Sequence, residues 1–170
     1  GYSKHHPAKP LYTVQEVDTA TRFFFFFPPS RWIQIVPEVK ARFQYNGHII
    51  GSTFIELDIH HKRFVFSGDV GRLNDLLLFK PLRPKKADFL FLESTYGARF
   101  HPEEKDTIPA ISSIINETVA RGGSLFIPSF SVGRSQLLMF ILWQLSKEKK
   151  IPEIPMIIDS PMGLSVLELL

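Results

Sequence analysis

The sequence predicts an α/β chain in two parts: mostly antiparallel β over residues 1–100, then strand–helix alternation over residues 101–170. Three observations carry this. Between Arg31 and Phe66 the apolar residues recur in short, strand-length runs broken by Pro, Gly and Asn. Beyond Glu93 they recur at helical spacing. Short apolar runs then separate the helical stretches, which is the order of βαβ units around a parallel sheet.

Residues 1–10 are polar, and Pro7 and Pro10 block regular structure, so they read as a linker. Thr13-Val14-Gln15-Glu16 has the capping-box spacing and predicts a helix of about ten residues toward Phe23. Phe23 to Phe27 form an unbroken phenylalanine run halted by Pro28-Pro29. It reads as a buried strand or as a surface for a neighbour, with the core reading favoured. Ile33 and Ile35, then Val39, Phe43 and Tyr45, predict two strands broken near Pro37. Ile49 to Leu57 predicts a third, paired with Arg63–Phe66 through a turn at Asp58–His61. Asp88 to Leu92 is continuously apolar after its aspartate, as in a strand buried on both faces. Ile108, Ile111, Ile115 and Val119 mark a helix ended by Gly122-Gly123. Ser124–Ile127 and Pro155–Ile158 are expected strands on either side of a second amphipathic helix, Leu137 to Leu145, whose end carries Lys147, Lys149 and Lys150. Gly163 to Leu170 reads as the start of a further helix. The texture changes at His101-Pro102, the expected domain boundary.

Composition narrows the function classes. Hydrophobic residues make up 44% and charged residues 22% of 170, a globular balance. There is no cysteine, which excludes disulfides, thiolate metal sites and a cysteine nucleophile. A net charge of +3 permits an anionic partner without demanding one. No apolar run approaches the ~20 residues of a membrane span, and Gly1–Pro7 has no secretory pattern. A cytoplasmic protein without a membrane partner is therefore expected. Because the chain starts at Gly1 rather than Met, it is expected to be a piece of a longer one.

Catalytic groups concentrate in loops that a rigid scaffold presents. His48 in Asn46-Gly47-His48, Asp69 in Ser67-Gly68-Asp69-Val70-Gly71 and Glu93 in Leu92-Glu93-Ser94-Thr95 each follow strand-like residues, with glycine close by. Singly, each suits an ordinary turn or cap. Together, an imidazole and two carboxylates at consecutive strand ends form a zinc or hard-metal constellation. Pro128-Ser129-Phe130-Ser131-Val132-Gly133-Arg134 brings hydroxyls, amides and an arginine to a helix start, which suits a phosphate as well as it suits a plain capped helix. A phosphate-binding P-loop, a dinucleotide fingerprint and a serine nucleophile elbow are all absent from the sequence.

Read in order, these motifs resemble the β-CASP branch of the metallo-β-lactamase fold, a family of nucleic-acid-processing hydrolases. Gly47-His48-Ile49-Ile50-Gly51-Ser52 is similar to its third metal motif, and Phe66-Ser67-Gly68-Asp69-Val70-Gly71-Arg72 to its fourth. Leu92-Glu93-Ser94-Thr95-Tyr96-Gly97 resembles the acidic motif that opens the β-CASP insertion. Gly122-Gly123 with Ile127–Arg134, and Ile158-Asp159-Ser160-Pro161-Met162, are similar to segments inside that insertion.

The resemblance implies part of an αββα sandwich over residues 1–101 and the start of a β-CASP parallel α/β domain over residues 102–170. It implies two zinc ions in the complete protein, with His48 and Asp69 as ligands and Asp69 bridging. Glu93 would then be a catalytic residue orienting a histidine that lies downstream of this chain. Arg72, Ser129 and Arg134 are the expected substrate contacts. The substrate expected is single-stranded RNA rather than DNA, and a homodimer is compatible with the family. The family's His-x-His-x-Asp-His motif does not occur in these residues, so only half of the metal site is expected here and this chain alone is expected to be inactive. The competing expectation is a catalytically silent scaffold that binds RNA or a partner subunit.

Overall fold

The computed structural model describes residues 10–99 and 107–169. His5, His6, His101 and the expected boundary at His101-Pro102 lie outside them. The first helix, α1 (Val14–Thr21), starts as the sequence predicts. The Thr13 amide donates to Glu16 Oε2 at 2.6 Å, while the Glu16 amide donates to Thr13 Oγ1 at 3.4 Å. None of its residues is buried.

Five strands follow: β1 (Ile33–Val36), β2 (Val39–Tyr45), β3 (Thr53–Ile59), β4 (Lys62–Phe66) and β5 (Phe89–Phe91), side by side in that order. β1 to β4 form an antiparallel meander, and β5 adds parallel to β4. The β3–β4 turn is made by His60 and His61, both left-handed at φ 47° and 64°, the geometry of a tight hairpin. β3 starts at Thr53 rather than Ile49, because residues 49–52 close a turn in which Ser52 Oγ donates to the Ile49 carbonyl at 2.7 Å.

Pairing fixes which residues share a face. One face carries Ala41, Phe43, Ile55, Leu57, Phe64 and Phe66, and Phe89 and Phe91 stack on Phe64 and Phe66 at 4.6 and 4.5 Å. The opposite face holds Arg42, Glu56, Asp58 and Arg63 around the indole of Trp32, which lies under both guanidinium groups at 4.5 and 4.4 Å. The fully buried Glu56 carboxylate accepts from Arg42 Nε at 2.6 Å, so its charge is compensated where water cannot reach it.

Two expectations about burial are overturned. β5 is an outer strand whose Phe89, Leu90 and Phe91 are half exposed, not buried on both faces, because it is paired on one side only. The Phe23–Phe27 run is not core. Phe25 and Phe26 are 81% and 91% exposed, and the run has no ladder partner among the described residues.

In the second part α2 (Thr107–Ala120), α3 (Arg134–Lys147) and α4 (Pro161–Leu167) form as expected. α2 ends at Gly122, left-handed at φ 68°, where the Gly123 amide donates back to the Thr118 carbonyl at 2.9 Å. Ile115, Ile141, Leu145 and Ile151 make a small core between α2, α3 and the segment after it. The strands expected at Ser124–Ile127 and Pro155–Ile158 do not form among the described residues. Among the described residues neither segment pairs in a ladder, and Phe126 and Ile157 are largely exposed. A strand is defined by its partner, so apolar composition alone does not make one. No helix among the described residues is long and apolar enough to cross a membrane.

Candidate functional site

Three loops leave the same end of the sheet: residues 46–52 between β2 and β3, residues 67–71 after β4, and residues 92–95 after β5. They are joined by side chains that bond to backbone and by direct backbone contact. Asn46, only 3% exposed, ties the first two together: its Nδ2 donates to the Ser67 carbonyl at 3.1 Å, and its own carbonyl accepts from the Gly71 amide at 2.9 Å. The approach leaves no room for a side chain. A β-carbon on Gly71 would lie 1.9 Å from the Gly47 carbonyl oxygen. Gly47 is itself left-handed at φ 71°.

This packing sets His48 and Asp69 beside each other. The His48 amide donates to Ser52 Oγ at 3.1 Å and to Asn46 Oδ1 at 3.3 Å, which fixes the turn that carries the imidazole. His48 Nε2 then lies 3.5 Å from Asp69 Oδ2, with the two side chains 45% and 71% exposed. Neighbouring ligands of one tetrahedral zinc, at bond lengths of about 2.0–2.1 Å, stand about 3.3 Å apart. The pair therefore has the chemistry and spacing of two adjacent zinc ligands open to solvent. Among the described residues no group of three or more His, Asp or Glu side chains comes together to complete a shell.

Glu93 faces the same loops. Its Oε1 accepts from the Val70 amide at 2.8 Å, one residue beyond Asp69, and its Oε2 accepts from the Thr95 amide at 3.4 Å. Its own amide donates to Ser67 Oγ at 3.0 Å. The Val70 hydrogen bond holds the carboxyl below the usual carboxylate range; the Thr95 bonds and the nearby His48 act the same way, and burial opposes them. In this geometry Glu93 clamps the Asp69 loop. Sequence reasoning missed Asn46, Ser52 and Ser67, which build the frame. A buried-type polar residue next to a glycine at a strand end was the available signal.

The expected phosphate contacts are more dispersed. Arg72 is exposed on the Asp69 loop. Arg134 opens α3, and a β-carbon on the preceding Gly133 would lie 3.2 Å from Ile49 Cγ2, so the start of α3 reaches the residue next to His48. Ser129 is exposed, with a hydroxyl 3.5 Å from the Phe130 carbonyl. It is Ser131 that joins the two β-CASP-like segments, accepting from Ser160 Oγ at 2.9 Å. The buried Gln136 braces the same place, donating to the Ser131 and Gly163 carbonyls and accepting from the Gly133 amide.

No family model matches the chain. Individual relatives do. The chain is 29% identical over 161 residues to a ribonuclease of Thermus thermophilus, covering 95% of the chain and 37% of the relative. It is 34% identical over 131 residues to a transcription termination factor of Methanosarcina mazei, 74% of the chain and 20% of the relative. It is 33% identical over 111 residues to the cleavage and polyadenylation specificity factor 73 of Drosophila melanogaster, 64% of the chain and 16% of the relative. The chain thus spans well under half the length of each of these relatives.

Proposed function

The chain belongs to the β-CASP family of metallo-β-lactamase-fold proteins, with RNA-processing nucleases as its relatives, and from that footing we propose that it is a segment of a zinc-dependent phosphodiester hydrolase acting on RNA. The observation that carries the reading is the 3.5 Å approach of His48 Nε2 to Asp69 Oδ2, at the meeting point of three family-like motifs. His48 and Asp69 would hold metal from one side, and the remaining donors come from outside this chain. Bound zinc supplies a coordinated water with a pKa near neutrality and a Lewis acid for a phosphoryl oxygen.

This chain's own residues do the rest. Asn46, Ser52 and the Gly47–Gly71 contact fix the two ligand loops before any ion arrives, so binding does not have to order them. Glu93, through Val70, holds the Asp69 carboxylate in place. Arg72 and Arg134 are the exposed arginines that would meet a phosphate backbone, with Ser129 adding a hydroxyl.

The test uses the full-length protein: zinc by elemental analysis, and cleavage of a labelled single-stranded RNA with and without chelator. About two zinc ions per chain and chelator-sensitive cutting are expected. Asp69→Ala should lower cutting by at least ~10²-fold and leave the unfolding midpoint unchanged, because the side chain is 71% exposed. Metal-free protein that does not cut would instead make this a scaffold. Undiminished cutting by Asp69→Ala would remove the metal assignment.

A further inference from the structure

At the far end of α3 from Arg134, an open cleft of about 800 Å³ lies between Asn116 of α2, Trp143 and Lys147 of α3, and the turn that follows α3. Trp143 is 54% exposed, and Lys147 Nζ stands 4.9 Å from its ring centroid. Lys149 takes the left-handed conformation, φ 56°, at the position where a helix end ordinarily places glycine. The Lys150 amide closes the turn by donating to the Leu145 carbonyl at 2.9 Å. A side chain in that conformation costs about 1 kcal/mol, and here the side chain is a cation facing the cleft's rim. Asn116 Nδ2 donates to the Lys150 carbonyl at 2.9 Å and so anchors the turn to α2.

Lysines at a helix end complement its dipole, which accounts for the charges. The dipole does not account for a half-exposed indole beside them. Lys150 pairs with Glu148 at 2.7 Å, and the lining otherwise carries Lys147, Lys149 and one acid, Glu153. The exposed indole carries Lys147 Nζ over its ring in an open groove, and an aromatic surface with ammonium groups at hand is the chemistry that stacks a base once the lysine moves onto a phosphate.

We propose that this cleft binds single-stranded nucleic acid, with a base on Trp143 and adjacent phosphates on Lys147 and Lys149. The inference rests on the RNA-directed reading above and adds a second anchoring point. α3 spans about 20 Å, and its start touches the residue beside His48, so a strand held at the cleft runs a few nucleotides from the metal ligands.

The test is fluorescence anisotropy of a labelled twelve-residue oligouridylate with the full-length protein in chelator, titrated with KCl. Lys147→Glu combined with Lys149→Glu should weaken binding by at least tenfold and flatten the salt slope by about 1.4, at about 0.7 per phosphate contact. Trp143→Ala should weaken binding by about 5-fold or more, while Trp143→Phe keeps most of it and controls for folding. Unchanged affinity and salt slope in the double lysine variant, or unchanged affinity in Trp143→Ala, would overturn the proposal. Oligonucleotide binding is read without metal or cleavage. A full-length protein that neither binds zinc nor cuts therefore sinks the hydrolase reading alone. A full-length protein that cuts while the cleft variants bind normally sinks this inference alone.

Discussion

The Phe23–Phe27 segment and the loops at the end of the sheet are opposites in composition and in fate. The first is the most concentrated apolar stretch of the chain and lies open to solvent. The second is built from Asn, Gly, Ser, Asp and Glu, and is held by hydrogen bonds from Asn46, Ser52, Ser67 and Glu93. Hydrophobicity produces order only where a second surface closes on it. Polar loops become rigid when every amide has a partner at a geometry that glycine alone allows.

The largest expected effect lies in the loops. Gly71→Ala forces a β-carbon into the Gly47 carbonyl and should cost about 3 kcal/mol, the upper end of overpacking penalties. Gly51→Ala is the control, since nothing lies within 4 Å of its added carbon; it should cost about 1 kcal/mol for the left-handed backbone alone. Equal losses in urea unfolding would break the contrast. Glu93→Gln comes next and is read by pH. A carboxyl lowered in the folded state stabilises above its unfolded pKa of about 4.3, and that stabilisation is lost as pH falls through the lower folded value. The variant should therefore be less stable than the parent at pH 7, with the gap narrowing below about pH 4. A gap independent of pH would assign Glu93's role to packing rather than charge.

Smaller effects belong to the exposed segment. Thr13→Ala removes the capping box and should cost α1 about 1 kcal/mol. Because α1 buries nothing, the loss should show as faster amide exchange over Val14–Thr21 with no change in global unfolding. Phe26→Ser should change stability by less than about 0.5 kcal/mol while reducing self-association in sedimentation. A large global loss would mean that the run is buried after all.

Much of the fold was legible. The strands from Ile33 to Phe66 were readable because their breaks are chemical: Pro37 at one hairpin and Asp58–His61 at the other. The capping box placed α1 to within a residue or two at its start. What failed was partnership. Ser124–Ile127 and Pro155–Ile158 look like strands, but neither pairs in a ladder among the described residues. Ile49 and Ile50 look like strand residues too, yet Ser52 turns the chain there. At the site, motif order pointed to His48, Asp69 and Glu93 together. The Glu93–Val70 bond was unreadable because its donor is a backbone amide, which any residue type supplies.

The parallel pairing of β5 with β4 bears on the sequence of events by which the protein assembles. β1 to β4 meet through short turns, a process of microseconds for each hairpin. β5 can dock only after residues 67–88 have doubled back, which makes it the late arrival. His48 sits on a loop bounded by two early strands, Asp69 on the connection that leads from β4 into the late strand, and Glu93 travels in with that strand. His48 is therefore in place early, whereas the Asp69 loop gains its hydrogen bond to Glu93 only when β5 docks. Pulse-labelling exchange should find the Glu93 amide, which donates to Ser67, protected later than those of β2 and β3.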